Sequence, residues 1–298
     1  MRIVSLLPSA TEITYALGLE DQLYGVTFEC DEPPRARLDK EILVGGMRTA
    51  GMDPAAIDTI VRKRLAAGED LYTLDAGALA HLQPDLILTQ DLCAVCAVPT
   101  ERVRDAAERL GCDAAVVTLD PYSLDEVIES IGTVARAAGV ADRGEQLIKE
   151  LRSRLDSVIM DVGDLARPRV AVVEWVDPPF GAGHWMPDMI TAAGGEPVAC
   201  RPRQRSVPTS WDAVAEAHPE IVIVSPCGFD LDGAVGQAKM LVDDAAFAER
   251  FPATQVWAID ADGIMVRPGP RLVDGVEALA ALIHPETGRK STAIRRLQ

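Results

Sequence analysis

Aromatic side chains are scarce in this 298-residue chain, with five Phe, four Trp and four Tyr, so an aromatic outside a core pattern is a candidate for contact with something else. Histidine is limited to four residues. Cationic residues are outnumbered, 29 Lys and Arg against 46 Asp and Glu, and the formal charge of -17 repels phosphate backbones and anionic lipid surfaces. That speaks against nucleic acid as a partner, while generic solubility accounts for the acidity more simply. No segment approaches the roughly 18 consecutive apolar residues of a membrane-spanning helix. The opening MRIVSLLPSATEI enters a strand-like run directly, without an apolar leader core or a small-residue cleavage site. A cytoplasmic protein with no membrane insertion is therefore expected, its six cysteines kept as thiols. Walker, GxGxxG, GxSxG, HExxH and EF-hand patterns are also missing, and the lack of a phosphate loop or nucleophile elbow favours binding over catalysis.

What is present is alternation. Short β-branched runs alternate with longer amphipathic segments from end to end, the pattern of βα units on a parallel sheet. Strands are expected at 2–6, 25–28, 86–90 and 115–119 in the first half, and at 170–175, 197–201, 221–225 and 256–259 in the second. Between the halves 123–162 reads as helix, opened by a Ser123/Glu126 capping box and broken at Gly139. Its second piece, from about Asp142, has no strand before it and is the natural bridge. The halves also repeat one plan. LAHLQPDLILTQDLC and VAEAHPEIVIVSPCG each run from an amphipathic helix through Pro and an acid into a strand that ends at a polar turn and a cysteine, and each half opens with an Arg-led strand. The expected fold is α/β, two Rossmann-like lobes with parallel sheets bridged by a long α-helix, with a ligand cleft between the lobes. The lobes are read as 1–120 and 166–298, with 121–165 as the helical linker and the basic TGRKSTAIRRLQ as a mobile tail.

In open parallel sheets ligands sit beyond the carboxyl ends of the strands. Those ends carry Ser9, then Glu29, Cys30 and Asp31, then Gln90, Asp91 and Cys93 with Cys96 three residues on. In the second half they carry Trp175, the loop with Phe180, His184 and Trp185, and Cys227 with Gly228. Cys93 and Cys96 form a CxxC, a spacing that serves one soft metal ion or a redox pair. With no second CxxC, a closed metal site needs Cys30, His184 or Cys227 to converge on it. Cysteine is equally a small apolar residue suited to tight strand ends, the preferred reading of Cys200, and Cys112 reads as core. His184 stands in PPFGAGHWMPDM, where Trp175, Phe180 and Trp185 either cap the sheet or form an apolar wall with His184 as its polar or metal-ligating group. His81, His218 and His284 read as structural. Arg267, ahead of the last helix, either clamps an acidic ligand group or pairs with one of the surplus carboxylates.

The segments RIVSLLPSATEITYALGLEDQLYGVTFECDEPP, ALAHLQPDLILTQ and VPTSWDAVAEAHPEIVIVSP, in this order around the linker helix, resemble the substrate-binding proteins of cobalamin and ferric-siderophore ABC importers, the cobalamin-binding members above all. The resemblance covers the chain to about Pro285 and implies the two-lobed fold with a rigid bridging helix. It also implies a corrinoid, haem, siderophore or metal ion as ligand. Three departures stand out: Glu32 in CDEPP replaces an aromatic of the cobalamin binders, Gln90-Asp91-Leu92-Cys93 replaces a tryptophan and glycines, and Arg48 to Leu71 form an insertion of helical pattern. The missing export signal stands against delivery to a membrane permease and matches a cytosolic subgroup of that family. The resulting expectation is a binding protein for cobalamin or another metal-containing small molecule, the aromatics stacking on it and the thiols or His184 touching its metal. Two rivals remain open, a metal- or thiol-dependent enzyme on the same scaffold and a regulatory protein that has lost its ligand.

Overall fold

The β-branched runs of the first half assemble into one sheet around IVS and LILT, which are buried along their whole length and need cover on both faces. The computed structural model describes residues 1–47, 52–69, 71–91, 100–109 and 113–298. Its first sheet is built from β1 (Ile3–Ser5), β2 (Leu23–Thr27), β3 (Glu41–Gly46), β4 (Tyr72–Leu74), β5 (Leu86–Thr89) and β6 (Ala115–Thr118) in the order β4-β3-β2-β1-β5-β6. All neighbours are parallel except the edge pair β3/β4. Strand order reverses between β1 and β5, which puts a crevice where the loops after those two strands diverge.

In the second half β7 (Arg169–Val176) lies beside β11 (Ile221–Val224), itself beside β12 (Gln255–Ile259), all parallel. Three short strands fill the other flank of β7: β8 (Pro179–Gly181) turns back antiparallel on it, β9 (Glu196–Pro197) pairs with its first residues, and β10 (Val207–Pro208) extends β8. β13 (Ile294–Arg296) closes the opposite edge antiparallel to β12. The chain divides into two units, Met1–Pro121 with Ile128–Lys149, and Tyr122–Val127 with Glu150–Gln298. Helices Leu124–Ala137 and Ala141–Val162 meet at Gly139, whose φ of +72° ends the first of them in the left-handed region glycine favours. The 22-residue second helix is anchored within each unit separately. Arg143 donates to the carbonyls of Leu17 and Gly18 in the first, and Arg154 donates to Asp274 and to both oxygens of Glu277 in the second.

The repeated plan is physical. In the first unit the amide of Arg2 donates to the Asp85 carboxylate at 2.6 Å, the Asp85 amide returns a bond to the Arg2 carbonyl at 2.8 Å, and the Arg2 guanidinium reaches the carbonyl of Leu82 at 2.7 Å. In the second the Arg169 amide donates to Glu220 at 3.0 Å, the Glu220 amide returns a 2.8 Å bond to the Arg169 carbonyl, and the guanidinium reaches the Ala217 carbonyl at 2.8 Å. The residue before each proline, Gln83 or His218, has positive φ, 45° or 46°. Arginine, acid and proline thus staple the end of one helix to the starts of two parallel strands, satisfying terminal carbonyls that an α-helix leaves open. Part of the acidic surplus is structural as well: Asp53, Asp75, Asp230, Asp244 and Asp260 each accept backbone N–H groups at a helix start, where a carboxylate also meets the positive end of the macrodipole.

Three expectations are corrected. The strand expected at 197–201 ends at Pro197, because Ala199 takes φ of +52° and leaves the extended region. The segment 177–185 contains β8, which Pro and Gly had hidden. The tail is not mobile: β13 pairs with Trp257–Ile259, Arg296 stacks over the Trp257 ring at 5.9 Å, and the Gln298 amide donates to Phe251 and Thr254 carbonyls, covering a β12 edge that otherwise stands open. The helical pattern read in the 48–71 insertion is present as Pro54–Ala66. No helix of the described residues is long and apolar enough to cross a membrane.

Candidate functional site

Each unit presents its loops at the carboxyl edge of its parallel strands. In the first, Ser9 is buried in the opening turn of helix Pro8–Ala16, directly after β1. Beyond β2, Glu29 is half-buried and accepts from the Tyr72 hydroxyl at 3.3 Å to both carboxylate oxygens, and Asp31 is half-buried beside it. Cys30 is turned inward. It is 0% exposed, and its sulfur takes the Thr11 hydroxyl at 3.1 Å and the Thr27 amide at 3.4 Å. Its assignment to a ligand wall or a metal is corrected accordingly, since the thiol is enclosed by its own unit. After β5, Gln90 is buried and its Oε1 has no hydrogen-bond partner among the described residues. Asp91 is exposed, its carboxylate accepting from the Thr100 amide at 2.7 Å and its own amide donating to Asp120 at 2.5 Å. Cys93, Cys96 and Cys112 lie outside the described residues.

In the second unit the chemistry gathers around the end of β7. Glu174 sits in VAVVEWV, and its Oε1 accepts the Ser206 hydroxyl at 2.6 Å and the Gly183 amide at 2.9 Å. Burial pushes its carboxyl above the ordinary carboxylate range, and these two hydrogen bonds only partly oppose the shift. The segment 199–206 clasps the glycine-rich loop. The His184 amide donates to the Gln204 carbonyl at 2.7 Å, the Arg203 amide to the His184 carbonyl at 3.1 Å, and the Arg201 amide to the Ala182 carbonyl at 2.8 Å. A Cβ on Gly183 would stand 2.5 Å from both the Gln204 oxygen and the Ser206 nitrogen, so only glycine admits this approach.

This clasp holds His184 at φ of +49°. Its ring lies 5.7 Å from Tyr122 and 5.4 Å from Trp185, centroid to centroid, and its Nε2 is buried with no partner among the described residues. Burial and the nearby Arg205 charge both lower the imidazole pKa, so the ring is neutral at pH 7. Trp175 and Phe229 pack at 5.7 Å, and the Trp175 indole donates to the Asp177 carbonyl. Phe180, half-buried on β8, stands opposite Trp175 in the β7/β8 pairing. Cys227 and Gly228, after β11, are exposed, Gly228 with φ of +80°.

Two further assignments change. Trp185 is 4% exposed with its indole on the Met265 carbonyl at 2.8 Å, so it anchors the loop and supports His184 from within. Arg267 is bound to both oxygens of Asp262 at 3.0 and 2.5 Å with its side chain 10% exposed, and its charge is spent on that pair rather than on a ligand. Among the described residues no three His, Cys, Asp or Glu side chains are placed to hold a metal ion; of the five residues named for one, two lie outside those residues and Cys30 is enclosed. Burial raises the Cys200 thiol pKa, the direction of an inert cysteine. His284 is structural, its Nε2 3.2 Å from the Gly194 carbonyl. Tyr122, Glu174, Ser206 and Arg205 were not anticipated. An acid inside an otherwise apolar strand was the available signal for Glu174, since buried carboxylates demand partners.

Two α/β units in series, joined by one long helix and presenting polar atoms at their strand-end loops, define a solute-binding protein. The Periplasmic binding protein family model matches residues 3–256, and the chain belongs to that family. It is a substrate-binding protein of the ABC-transporter type. It is 26% identical over 300 residues to an uncharacterized ABC transporter substrate-binding lipoprotein of Bacillus subtilis, covering 96% of this chain and 81% of the relative. It is 24% identical to a vitamin B12-binding protein of Vibrio cholerae, with 95% and 88% covered. Solved structures that share the fold include the periplasmic vitamin B12 binding protein of Vibrio cholerae (TM-score 0.67, 23% identity, 97% and 98% covered) and a periplasmic heme binding protein of Pseudomonas aeruginosa (0.71, 20%, 100% and 98%).

Proposed function

We propose that this protein binds a corrinoid or a related metal-containing macrocycle through loops at the carboxyl edge of its parallel strands and delivers it to an ABC permease. The observation that supports the reading is a set of buried polar atoms with no partner among the described residues. Gln90 Oε1 follows β5, Ser225 Oγ follows β11, and His184 Nε2 lies in the clasped loop. Buried polar atoms are normally paired, and leaving one unmet costs roughly 1–3 kcal/mol. These three stand at strand ends, where doubly wound sheets bind ligands, and fit a bound molecule that supplies the missing bonds, whereas the unmet amide of Gln237 lies on helix Leu231–Val242. Glu29, Asp31, Asp91, Trp175 and Phe180 are proposed as further contacts, with Cys227 and Gly228 at the rim.

The relatives are named as vitamin B12-binding proteins and a substrate-binding lipoprotein, which favours work outside the cytoplasm over the cytoplasmic setting expected from the opening residues, and restores a permease as partner. The metal- or thiol-dependent enzyme gains nothing from the raised Cys200 pKa or the enclosed Cys30 thiol. Titration of cyanocobalamin and of haemin into the purified protein, read by absorbance and calorimetry, tests the proposal. Saturable one-to-one binding of either is expected, and its absence at micromolar protein overturns the reading.

A further inference from the structure

The residues Arg201-Pro-Arg203-Gln-Arg205 place three guanidinium groups within five positions of a chain whose formal charge is -17. All three arginines are exposed. The loop that carries them is nonetheless fixed. Ala199 and Arg203 hold positive φ of 52° and 56°, and the bonds to Ala182 and His184 described above tie its backbone at Arg201, Arg203 and Gln204, while Ser206 ties it to Glu174. Five other arginines, Arg154, Arg169, Arg250, Arg267 and Arg289, are paired with carboxylates. The side chains of Arg201 and Arg203 have no hydrogen-bond or ion-pair partner among the described residues. Glu174, the acid bonded to this loop, has its Oε1 taken by Ser206 and Gly183. The His184 amide donates to the Gln204 carbonyl at 2.7 Å and the Arg203 amide to the His184 carbonyl at 3.1 Å, which places the cationic loop beside the residue with the unmet Nε2.

We infer that this loop recognises carboxylates on the periphery of the ligand, so that the protein prefers an acidic macrocycle to its neutral amide or ester. The inference rests on the proposed function and narrows it. Guanidinium forks suit carboxylate geometry, and a backbone already fixed loses little entropy when the side chains engage. A solubilising surface, or a contact for an acidic partner protein, would show no such preference among small ligands.

The test uses two pairs of probes that differ only in carboxylates. They are cyanocobalamin against the carboxylic acids obtained by mild hydrolysis of its side-chain amides, and haemin against its dimethyl ester. In low salt the acid member of a pair is expected to bind about fivefold more tightly, an exposed ion pair contributing a factor of a few at most. That advantage shrinks towards unity at about 0.5 M salt, where the screening length is a few ångströms. In the double variant R201Q/R203Q the acid member falls towards the neutral one. Equal affinities in the unaltered protein sink the inference alone, as does a preference that survives both the double variant and high salt. Failure of all four probes to bind overturns the functional reading itself, and the inference with it.

Discussion

Replacing Gly183 by alanine probes the clasp on which His184 depends. The added Cβ would stand 2.5 Å from the Gln204 carbonyl oxygen, 2.5 Å from the Ser206 nitrogen and 2.9 Å from the Arg205 carbonyl carbon. All three are backbone atoms, so no side-chain rotation relieves the overlap. Heavy-atom contacts to carbon settle near about 3.5 Å, so one segment must retreat by about 1 Å. A retreat of that size breaks the 2.7 Å bond from the His184 amide to Gln204 and threatens the 2.6 Å bond from Ser206 to Glu174. At about 1 kcal/mol net for each ordinary hydrogen bond, and more for one to a carboxylate, the loss is about 2–4 kcal/mol, the upper part of the range for overpacking. Urea denaturation followed by circular dichroism measures it, and limited proteolysis of 199–206 reports whether the loop has come free. Ligand affinity should fall together with the protection. A variant within about 0.5 kcal/mol of the parent, equally resistant to protease and equal in binding, refutes the account of the clasp.

Glu174→Gln should change how stability depends on pH. Burial holds the Glu174 carboxyl above its ordinary value of 4.5, so the folded protein keeps a proton that the unfolded chain releases, and the residue's contribution to stability falls as pH rises from 4.5 through the raised value. The amide keeps an acceptor for Ser206 and Gly183 without that titration, so the variant should gain on the parent as pH rises above 4.5, read from denaturation midpoints at a series of pH values; a constant difference contradicts the assignment. Deleting the C-terminal residues from Thr292 onward removes β13 and uncovers the β12 edge. A lower melting temperature and concentration-dependent aggregation are expected by calorimetry and light scattering, and an unchanged midpoint with no aggregation would return the tail to the status of an ornament.

The strands that run down the middle of each sheet were legible because they are apolar on both faces: IVS, LILT, IVIV and QVWAI announce burial by composition alone. β4, β8, β10 and β13 were not, being two or three residues long and antiparallel, too short for a period-2 pattern to emerge, and the six-residue β3 was missed because only Leu43 and Val44 of EILVGG are buried. Among the described residues, those expected beyond the strands, from Ser9 to Gly228, do stand at or after strand carboxyl ends. Topology could not say which way Cys30 or Trp185 faces, since both directions lie open to a residue in a strand-end turn. Nor could it foresee that Arg267 is claimed by Asp262 five residues earlier. The clasp escaped notice because it depends on backbone bonds between 182–184 and 201–206, which leave no mark on composition.

The duplicated Arg–acid–Pro staple locks both sheets at their amino ends, away from the strand-end loops. Evolutionary drift and laboratory diversification therefore have the same freedom here. A library that randomises the strand-end loops, while retaining Arg2, Pro84 and Asp85 in one half and Arg169, Pro219 and Glu220 in the other, inherits a scaffold whose register is set elsewhere. New specificities could be selected on one rim at a time.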